Sequence, residues 1–180
     1  DDDDGDDDDD SSAQASNTNA AQNVVNETVL VGRVAEISAK KNPQQVIYAS
    51  KRLIGRRYDD PIVTIGRQNW PFEVLPDENK YAVVKVNNML KTPVSIQSEI
   101  LKYARHDIAQ PAFPNCVIGG AVITVPAYFN YQQRNAIIRA AKRANFQQVS
   151  IINEPSAAAY FYSCLSEGLN KSAFHVLVYD

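Results

Sequence analysis

The alternation of apolar runs and polar breaks in the last third of the chain predicts a strand–helix–strand–helix–strand unit. Continuous apolar runs of this length are typical of strands in a parallel sheet that is covered on both faces. The helical stretches between them are amphipathic or rich in alanine. The predicted strands are 121–125, 149–152 and 174–179, and the predicted helices are 131–144 and 156–165. This order predicts an α/β fold.

The boundaries within this unit place polar side chains at the strand ends. Pro126 ends the first strand because it has no N–H to donate to a sheet. Asn130 stands three residues before Gln133, the spacing of a helix-capping box. Glu154 and Asp180 follow the second and third strands. Ligands of α/β sheets bind outside the carboxyl ends of the strands, so both carboxylates are candidate site residues.

The preceding part of the chain has shorter patterns that predict a smaller mixed unit. Two apolar runs flank a Pro-Asp-Glu-Asn turn at 76–79 and predict paired strands. Asn-Pro and Asp-Asp-Pro sequences predict helix ends. The predicted elements are a strand at 28–32 leading into a helix at 33–39, a helix at 45–57, strands at 70–75 and 81–86, a third strand near Met89 and Leu90, and a helix at 94–110.

Composition divides the chain into an acidic tail and a basic remainder. Nine of the first ten residues are Asp, and residues 11–22 are small and polar. Such a segment cannot bury enough apolar surface to offset its ordering entropy, so 1–23 is expected to be disordered and 24–180 to fold. Without those nine Asp residues, the chain has 12 acidic and 18 basic residues, a charge of +6. That charge suits a polyanion or phosphate ligand, or it is a solvated surface.

Several classes of protein are disfavoured. Cys116 and Cys164 are too few for a disulfide framework, and with the isolated His106 and His175 they form no zinc-ligand pair. Patches of basic and aromatic residues typical of nucleic-acid binding are missing. No apolar run reaches the ~18 residues of a membrane span. The acidic start is unlike a signal peptide, and with no initiator Met the chain is expected to be a fragment or a processed product.

The residues suited to phosphate chemistry are Lys51, Glu154 and Asp180. Phosphoryl transfer needs a cation on the phosphates, a carboxylate to hold hydrated Mg²⁺ and a group that orients water. The chain has no Gly-rich phosphate-loop motif. Alternatives stay open for each residue: Lys51 as a solvated or paired surface cation, Glu154 as a partner of a helix dipole, and Asp180 as a strand end.

Three long strings change this interpretation. They are KRLIGRRYDD at 51–60, AVITVPAYFN at 121–130 and NEPSAAA at 153–159. Together, and in this order, they resemble the DnaK-type, seventy-kilodalton heat-shock chaperones. The resemblance extends over 28–180. It implies the ATPase domain of that family, with an actin-like, ribonuclease-H-like α/β fold. This chain would then be most of the first lobe, with a small inserted subdomain.

The resemblance also implies roles for particular residues. Lys51 would be the catalytic lysine near the γ-phosphate of ATP. Glu154 would hold the waters of Mg²⁺, and Asp180 would open the second phosphate hairpin, so both would contact the cofactor through Mg²⁺ and its waters, with no direct metal ligand. Pro126 and Arg134 would relay the ATP or ADP state to a peptide-binding domain.

For the whole protein, the resemblance implies an ATP-dependent chaperone that hydrolyses ATP to drive cycles of unfolded-peptide binding and release. Its implied partners are unfolded polypeptides, a J-domain co-chaperone and a nucleotide-exchange factor. The motifs are most similar to the mitochondrial and bacterial branch, so the mitochondrial matrix is the expected location and the cytoplasm the alternative.

The chain departs from the family pattern in ways that bear on activity. The first Gly-rich loop is expected before Thr28 and the second directly after Asp180, and neither is in the sequence. Tyr131 stands where the family usually has Asp. The isolated segment is therefore expected to be inactive as an ATPase. The alternative is a truncated, non-hydrolysing relative that acts as a protein-binding module.

Overall fold

The computed structural model describes residues 28–165 and 177–178. Three predictions fall outside these residues: the tail at 1–23, Asp180, and the third strand apart from Leu177 and Val178. The helices are α1 (Arg33–Ala39), α2 (Pro61–Asn69), α3 (Pro93–Tyr103), α4 (Gln110–Ala112), α5 (Tyr131–Arg143) and α6 (Glu154–Leu165). The strands are β1 (Glu73–Pro76), β2 (Ala82–Val86), β3 (Met89–Lys91), β4 (Gly120–Val125) and β5 (Gln148–Asn153). The described residues are thus mixed α/β, as predicted.

The predicted strand–helix–strand unit is confirmed as β4, α5 and β5. The two strands are parallel, from Gly120 paired with Gln148 to Val125 paired with Asn153. The capping box is also present: Asn130 Oδ1 accepts from the Gln133 N–H at 3.0 Å, and Gln133 Oε1 accepts from the Asn130 N–H at 3.1 Å. Both bonds satisfy N–H groups that the first helical turn leaves unpaired.

Helix α5 packs against one face of this sheet and forms a core with it, which we call the sheet core. Its helical members are the small or branched residues predicted from their spacing, so the helix lies close to the strands. The buried members of the sheet core are Ile54, Ile123, Val125, Phe129, Ala136, Ile137, Ala141, Ala144 and Phe146. The expected cover on both faces of the sheet is not found among the described residues, where Val122 is 70% exposed.

A second core lies under the antiparallel sheet, and we call it the subdomain core. The sheet has the order β1-β2-β3, which confirms the predicted pairing and the third strand. Its first strand begins at Glu73. Trp70 and Phe72, which precede the strand, are buried in the core, and their stacked ring centroids lie 5.5 Å apart. The buried members are Leu53, Val63, Trp70, Phe72, Val74, Ala82 and Val84.

The prediction of one helix at 45–57 is wrong. The structure has short 3₁₀ turns at Pro43–Gln45 and Ser50–Arg52, with irregular backbone between and after them. Leu53 belongs to the subdomain core and Ile54 to the sheet core, and both are fully buried. Neighbouring residues of a helix lie about 100° apart, so one amphipathic helix does not place both in separate cores.

Three further differences lie before β4. The predicted strand at 28–32 is absent, whereas the helix after it is confirmed as α1. Helix α2 was not predicted, although Asp60 and Pro61 begin it: Asp60 Oδ1 accepts from the Ile62 N–H at 2.9 Å. The predicted helix at 94–110 is found, but after α3 it widens into a π-helical segment, Ala104–Ala109. Pro111 follows in the first turn of α4, where its missing N–H removes no helical hydrogen bond.

Replacing Gly55 should be costly because it ends the Lys51 segment in a conformation that only glycine adopts freely. Its φ is +68°, and an added Cβ would lie 2.9 Å from Cγ of Gln133. Gln133 is buried, and its amide donates to the Ile54 carbonyl at 3.2 Å, so it has little freedom to move. Gly55→Ala should therefore lower the free energy of unfolding by about 2–3 kcal/mol in urea denaturation.

Gly119→Ala is the matched control, since nothing lies within 4 Å of its added Cβ and its φ is not in the left-handed region. It should change stability by less than about 0.5 kcal/mol. Equal losses from both substitutions would contradict this account of Gly55.

No helix in the described part of the chain combines the length and hydrophobicity needed to cross a bilayer.

Candidate functional site

The parallel strands β4 and β5 end at the same edge of their sheet. Thr124 pairs with Ile152 and Val125 with Asn153, so the residues that follow, Pro126 and Glu154, leave the sheet side by side. Glu154 is also the first residue of α6. The site was predicted at the carboxyl ends of these strands, and in the structure those two ends lie together at one edge of the sheet.

Lys51 also lies at this edge, although it precedes Glu154 by 103 residues in the sequence. Its Nζ lies 2.7 Å from Glu154 Oε1 and donates to the Thr124 carbonyl oxygen at 3.1 Å. Both side chains are 34% exposed. Two of the three residues proposed for phosphate chemistry are thus in contact, while Asp180 lies outside the described residues.

The position of Lys51 depends on the two residues after its 3₁₀ turn. Leu53 and Ile54 insert into the subdomain core and the sheet core, respectively. The N–H groups of both donate to the Ser50 carbonyl, at 3.0 and 3.1 Å. The backbone around Lys51 is therefore held between the two packed units of the chain.

Arg134 connects the same strand ends on the neighbouring side. Its Nε donates to the Phe129 carbonyl at 2.9 Å, and its Nη2 donates to the Ala127 carbonyl at 3.2 Å and to Asn153 Oδ1 at 2.9 Å. Pro126 is half-buried at the start of this turn, and its carbonyl accepts from the Phe129 N–H at 3.1 Å. One guanidinium thus joins the turn after β4 to the last residue of β5.

Asn153 is a site residue that sequence reasoning missed. It was assigned only to the turn after the strand, but its side chain is the partner of Arg134. Its pairing with Val125, where β4 ends, was the available signal, because parallel register brings the two strand ends together.

The arrangement offers complementary groups for a phosphate ligand. Lys51 supplies a cationic side chain that is partly open to solvent, and Glu154 supplies a carboxylate that can accept hydrogen bonds from bound water. Within the described ranges, no three His, Cys, Asp or Glu side chains converge as direct ligands of a metal. A single carboxylate beside a lysine suits contact with a hydrated cation through its waters.

The Lys51–Glu154 pair should contribute modestly to stability. It is about one third exposed, so solvent screens it, and Glu154→Gln should cost no more than about 1 kcal/mol at low salt and less at high salt. A double-mutant cycle with Lys51→Met, measured by urea denaturation at both salt concentrations, isolates the interaction. A coupling free energy well above about 1 kcal/mol, or one that does not fall at high salt, would contradict this account.

A lysine and a glutamate meet at the carboxyl edge of a parallel β–α–β unit, and a three-stranded antiparallel sheet precedes this unit in the chain. This mixed α/β arrangement is consistent with a partial lobe of an actin-like ATPase domain, and the comparison with protein families identifies the family. The family model described as "Hsp70 protein" matches residues 14–180, and the chain belongs to the Hsp70 family. The resemblance inferred from the three sequence strings is thereby confirmed.

Similar curated proteins agree with this assignment. "Chaperone protein DnaK" of Carsonella ruddii (strain PV) is 41% identical over 154 residues, covering 84% of this chain and 24% of that protein. "Heat shock cognate HSP70 protein" of Trypanosoma brucei brucei is 38% identical over 160 residues, covering 87% of this chain and 23% of that protein. The chain therefore spans about a quarter of the length of these relatives.

Proposed function

We propose that the whole protein is an ATP-dependent chaperone that hydrolyses ATP to drive cycles of unfolded-polypeptide binding and release. Its membership of the Hsp70 family supports this function over that of a non-hydrolysing binding module. The observation that carries the proposal is the 2.7 Å contact between Lys51 Nζ and Glu154 Oε1 at the edge of the parallel sheet. Two residues assigned to ATP chemistry from distant sequence strings meet there.

Lys51 is proposed to bind the γ-phosphate of ATP and to stabilise the charge that develops during hydrolysis. Its ammonium is held by one carboxylate and one carbonyl, and a third of the Lys51 side chain is exposed. Bound ATP would supply the phosphoanhydride, and this lysine would supply a preorganised positive charge next to it.

Glu154 is proposed to orient waters of a hydrated Mg²⁺, with Asp180 as a second carboxylate of the same kind. The exposed third of the Glu154 side chain leaves space for water, and its position at the first turn of α6 lets its charge complement the helix dipole. Asp180 is proposed on the resemblance alone. Neither residue is assigned as a direct metal ligand.

Pro126 and Arg134 are proposed to relay the nucleotide state toward a peptide-binding domain. The guanidinium of Arg134 bonds to the turn after β4 and to Asn153, the residue next to Glu154. A shift of Glu154 on nucleotide binding would therefore reach Arg134 through one neighbouring residue.

The organisation and setting of the whole protein are proposed in the same way. Residues 1–23 would be an acidic tail, and 24–180 most of the first ATPase lobe. Unfolded polypeptides, a J-domain co-chaperone and a nucleotide-exchange factor are the proposed partners. The mitochondrial matrix is the proposed location, with the cytoplasm as the alternative, and fractionation of cells that express the tagged natural protein separates the two.

Hydrolysis and binding assays test this function directly. The natural protein that contains this chain should hydrolyse ATP in a Mg²⁺-dependent reaction that unfolded peptide stimulates. The 180-residue chain alone, with no Gly-rich phosphate loop in its sequence, should show no Mg-ATP binding near ~1 μM in calorimetry. Tight binding by the isolated chain would contradict the second expectation, and a natural protein without ATP turnover would contradict the first.

A further inference from the structure

A buried hydrogen bond lies one residue before Lys51. The Ser50 hydroxyl donates to Oε1 of Gln97 at 3.0 Å. Ser50 is 6% exposed and Gln97 is 7% exposed. Gln97 belongs to α3, 47 residues further along the chain. The bond thus joins the turn that carries Lys51 to a helix that is distant in sequence.

The turn is short, and the residue before it has an unfavourable backbone conformation. Ser50–Arg52 is a three-residue 3₁₀ helix without a side-chain cap. Ala49, which precedes it, has φ 54° and ψ 32°, in the left-handed region that is unfavourable for a residue with a Cβ. Such a backbone conformation persists where the surrounding contacts impose it. The contact with Gln97 is of that kind.

Helix α3 gives the bond a fixed end. Thr92 Oγ1 caps the helix by accepting from the Ser95 N–H at 3.1 Å, and α3 packs against α5. Since α5 in turn packs on the parallel sheet, Gln97 is held relative to the strand edge where Glu154 lies.

We infer that Ser50 and Gln97 are a positioning pair that sets the place of the Lys51 ammonium relative to Glu154. Loss of either side chain leaves the other polar group buried without its partner, and the turn shifts to bring that group to water. Lys51 is the next residue, so its amine moves with the turn. The importance of this pair for ATP hydrolysis rests on the proposed function, whereas its effect on Lys51 itself does not.

The chemical reactivity of the Lys51 amine in the 180-residue chain tests the positioning directly. Acetylation by an N-hydroxysuccinimide ester is followed by mass spectrometry, with the exposed Lys40 as the internal reference. Glu154→Gln should raise the acetylation rate at Lys51, relative to that at Lys40, about fivefold, which corresponds to the loss of a partly exposed ion pair. This variant therefore calibrates the probe. Ser50→Ala and Gln97→Leu should each produce a similar rise.

Ser98→Ala is the matched control. Ser98 is 1% exposed, but its hydroxyl donates within α3, to the Ser95 carbonyl at 2.8 Å. Its removal should affect stability without changing the acetylation rate at Lys51. If a folded Ser50→Ala chain or a folded Gln97→Leu chain has the wild-type acetylation rate at Lys51, the positioning pair is refuted. The double variant Ser50→Ala/Gln97→Leu leaves neither group unpaired, so its rate at Lys51 should be lower than that of either single variant.

ATP turnover by the natural protein provides the second measurement. Ser50→Ala should lower kcat about tenfold and leave KM within about twofold, since the turn positions a group that acts on the transition state, while Ser98→Ala should leave both unchanged. Raised Lys51 acetylation together with wild-type turnover of Lys51→Ala would refute the proposed catalytic role of Lys51 and leave the positioning pair supported.

Discussion

Ile54→Ala is expected to lower the free energy of unfolding of the 180-residue chain by about 3–5 kcal/mol. Ile54 is fully buried in the sheet core, so truncation loses the transfer free energy of its side chain and leaves a cavity that the rigid sheet and helix cannot fill. The substitution should also disturb the position of Lys51, because Ile54 is only three residues from it. Urea denaturation followed by far-UV circular dichroism measures the change.

Ile65→Ala is the matched control because it removes the same atoms from a side chain that is 62% exposed. Its expected effect is less than about 0.5 kcal/mol. Ile54→Val, which deletes one methylene group, should cost about 1 kcal/mol. Similar losses of unfolding free energy for Ile54→Ala and Ile65→Ala would show that Ile54 does not belong to a packed core in solution.

The β4–α5–β5 unit was predictable because its local signals agree with one another. The cap joins Asn130 to Gln133, three residues further on. The β-branched run that ends at Pro126 pairs with β5, and the small-residue stripe of α5 packs on the same strands, so both have partners within one β–α–β unit. Where local preference and tertiary packing favour the same conformation, sequence patterns are sufficient.

The segment around Lys51 was not predictable for the opposite reason. Its apolar residues fit a helical spacing, but Leu53 and Ile54 are buried in two separate cores, and that choice depends on elements far along the chain. Helix α2 was missed because Asp60 and Pro61 serve equally well to end one helix and to begin another. Tertiary contacts decided the first case, and the local Asp60 cap decided the second.

The candidate site divides in the same way. The carboxyl ends of the strands marked the location of Glu154, but no spacing rule brings Lys51 to it across 103 residues. The family resemblance assigned both residues to one ATP site, and in the structure their side chains are in contact. The contacts made by Thr124, Asn153 and Gln97 were not foreseen, because a carbonyl or an amide forms these bonds only where the backbone register places it.

Lys51→Ala should reduce kcat for ATP hydrolysis by the natural protein about 10²–10³-fold, with a much smaller change in KM. A preorganised charge next to the developing phosphate charge acts mainly in the transition state, and removing one such group typically has this effect. The chain itself should remain folded, since the ion pair that is lost is one third exposed. Steady-state turnover over a range of ATP concentrations measures kcat and KM, and a thermal melt of the same preparation shows whether the variant is folded.

Arg52→Ala is the control that separates position from charge. Arg52 is the adjacent cation in the same 3₁₀ turn, but it is exposed, so its removal should leave kcat within about twofold of the wild type. Lys51→Arg should not rescue turnover, because a planar guanidinium cannot occupy the place of an ammonium held between Glu154 and the Thr124 carbonyl. If Lys51→Ala and Arg52→Ala lower kcat equally, the effect is one of general charge, and Lys51 has no specific part in hydrolysis.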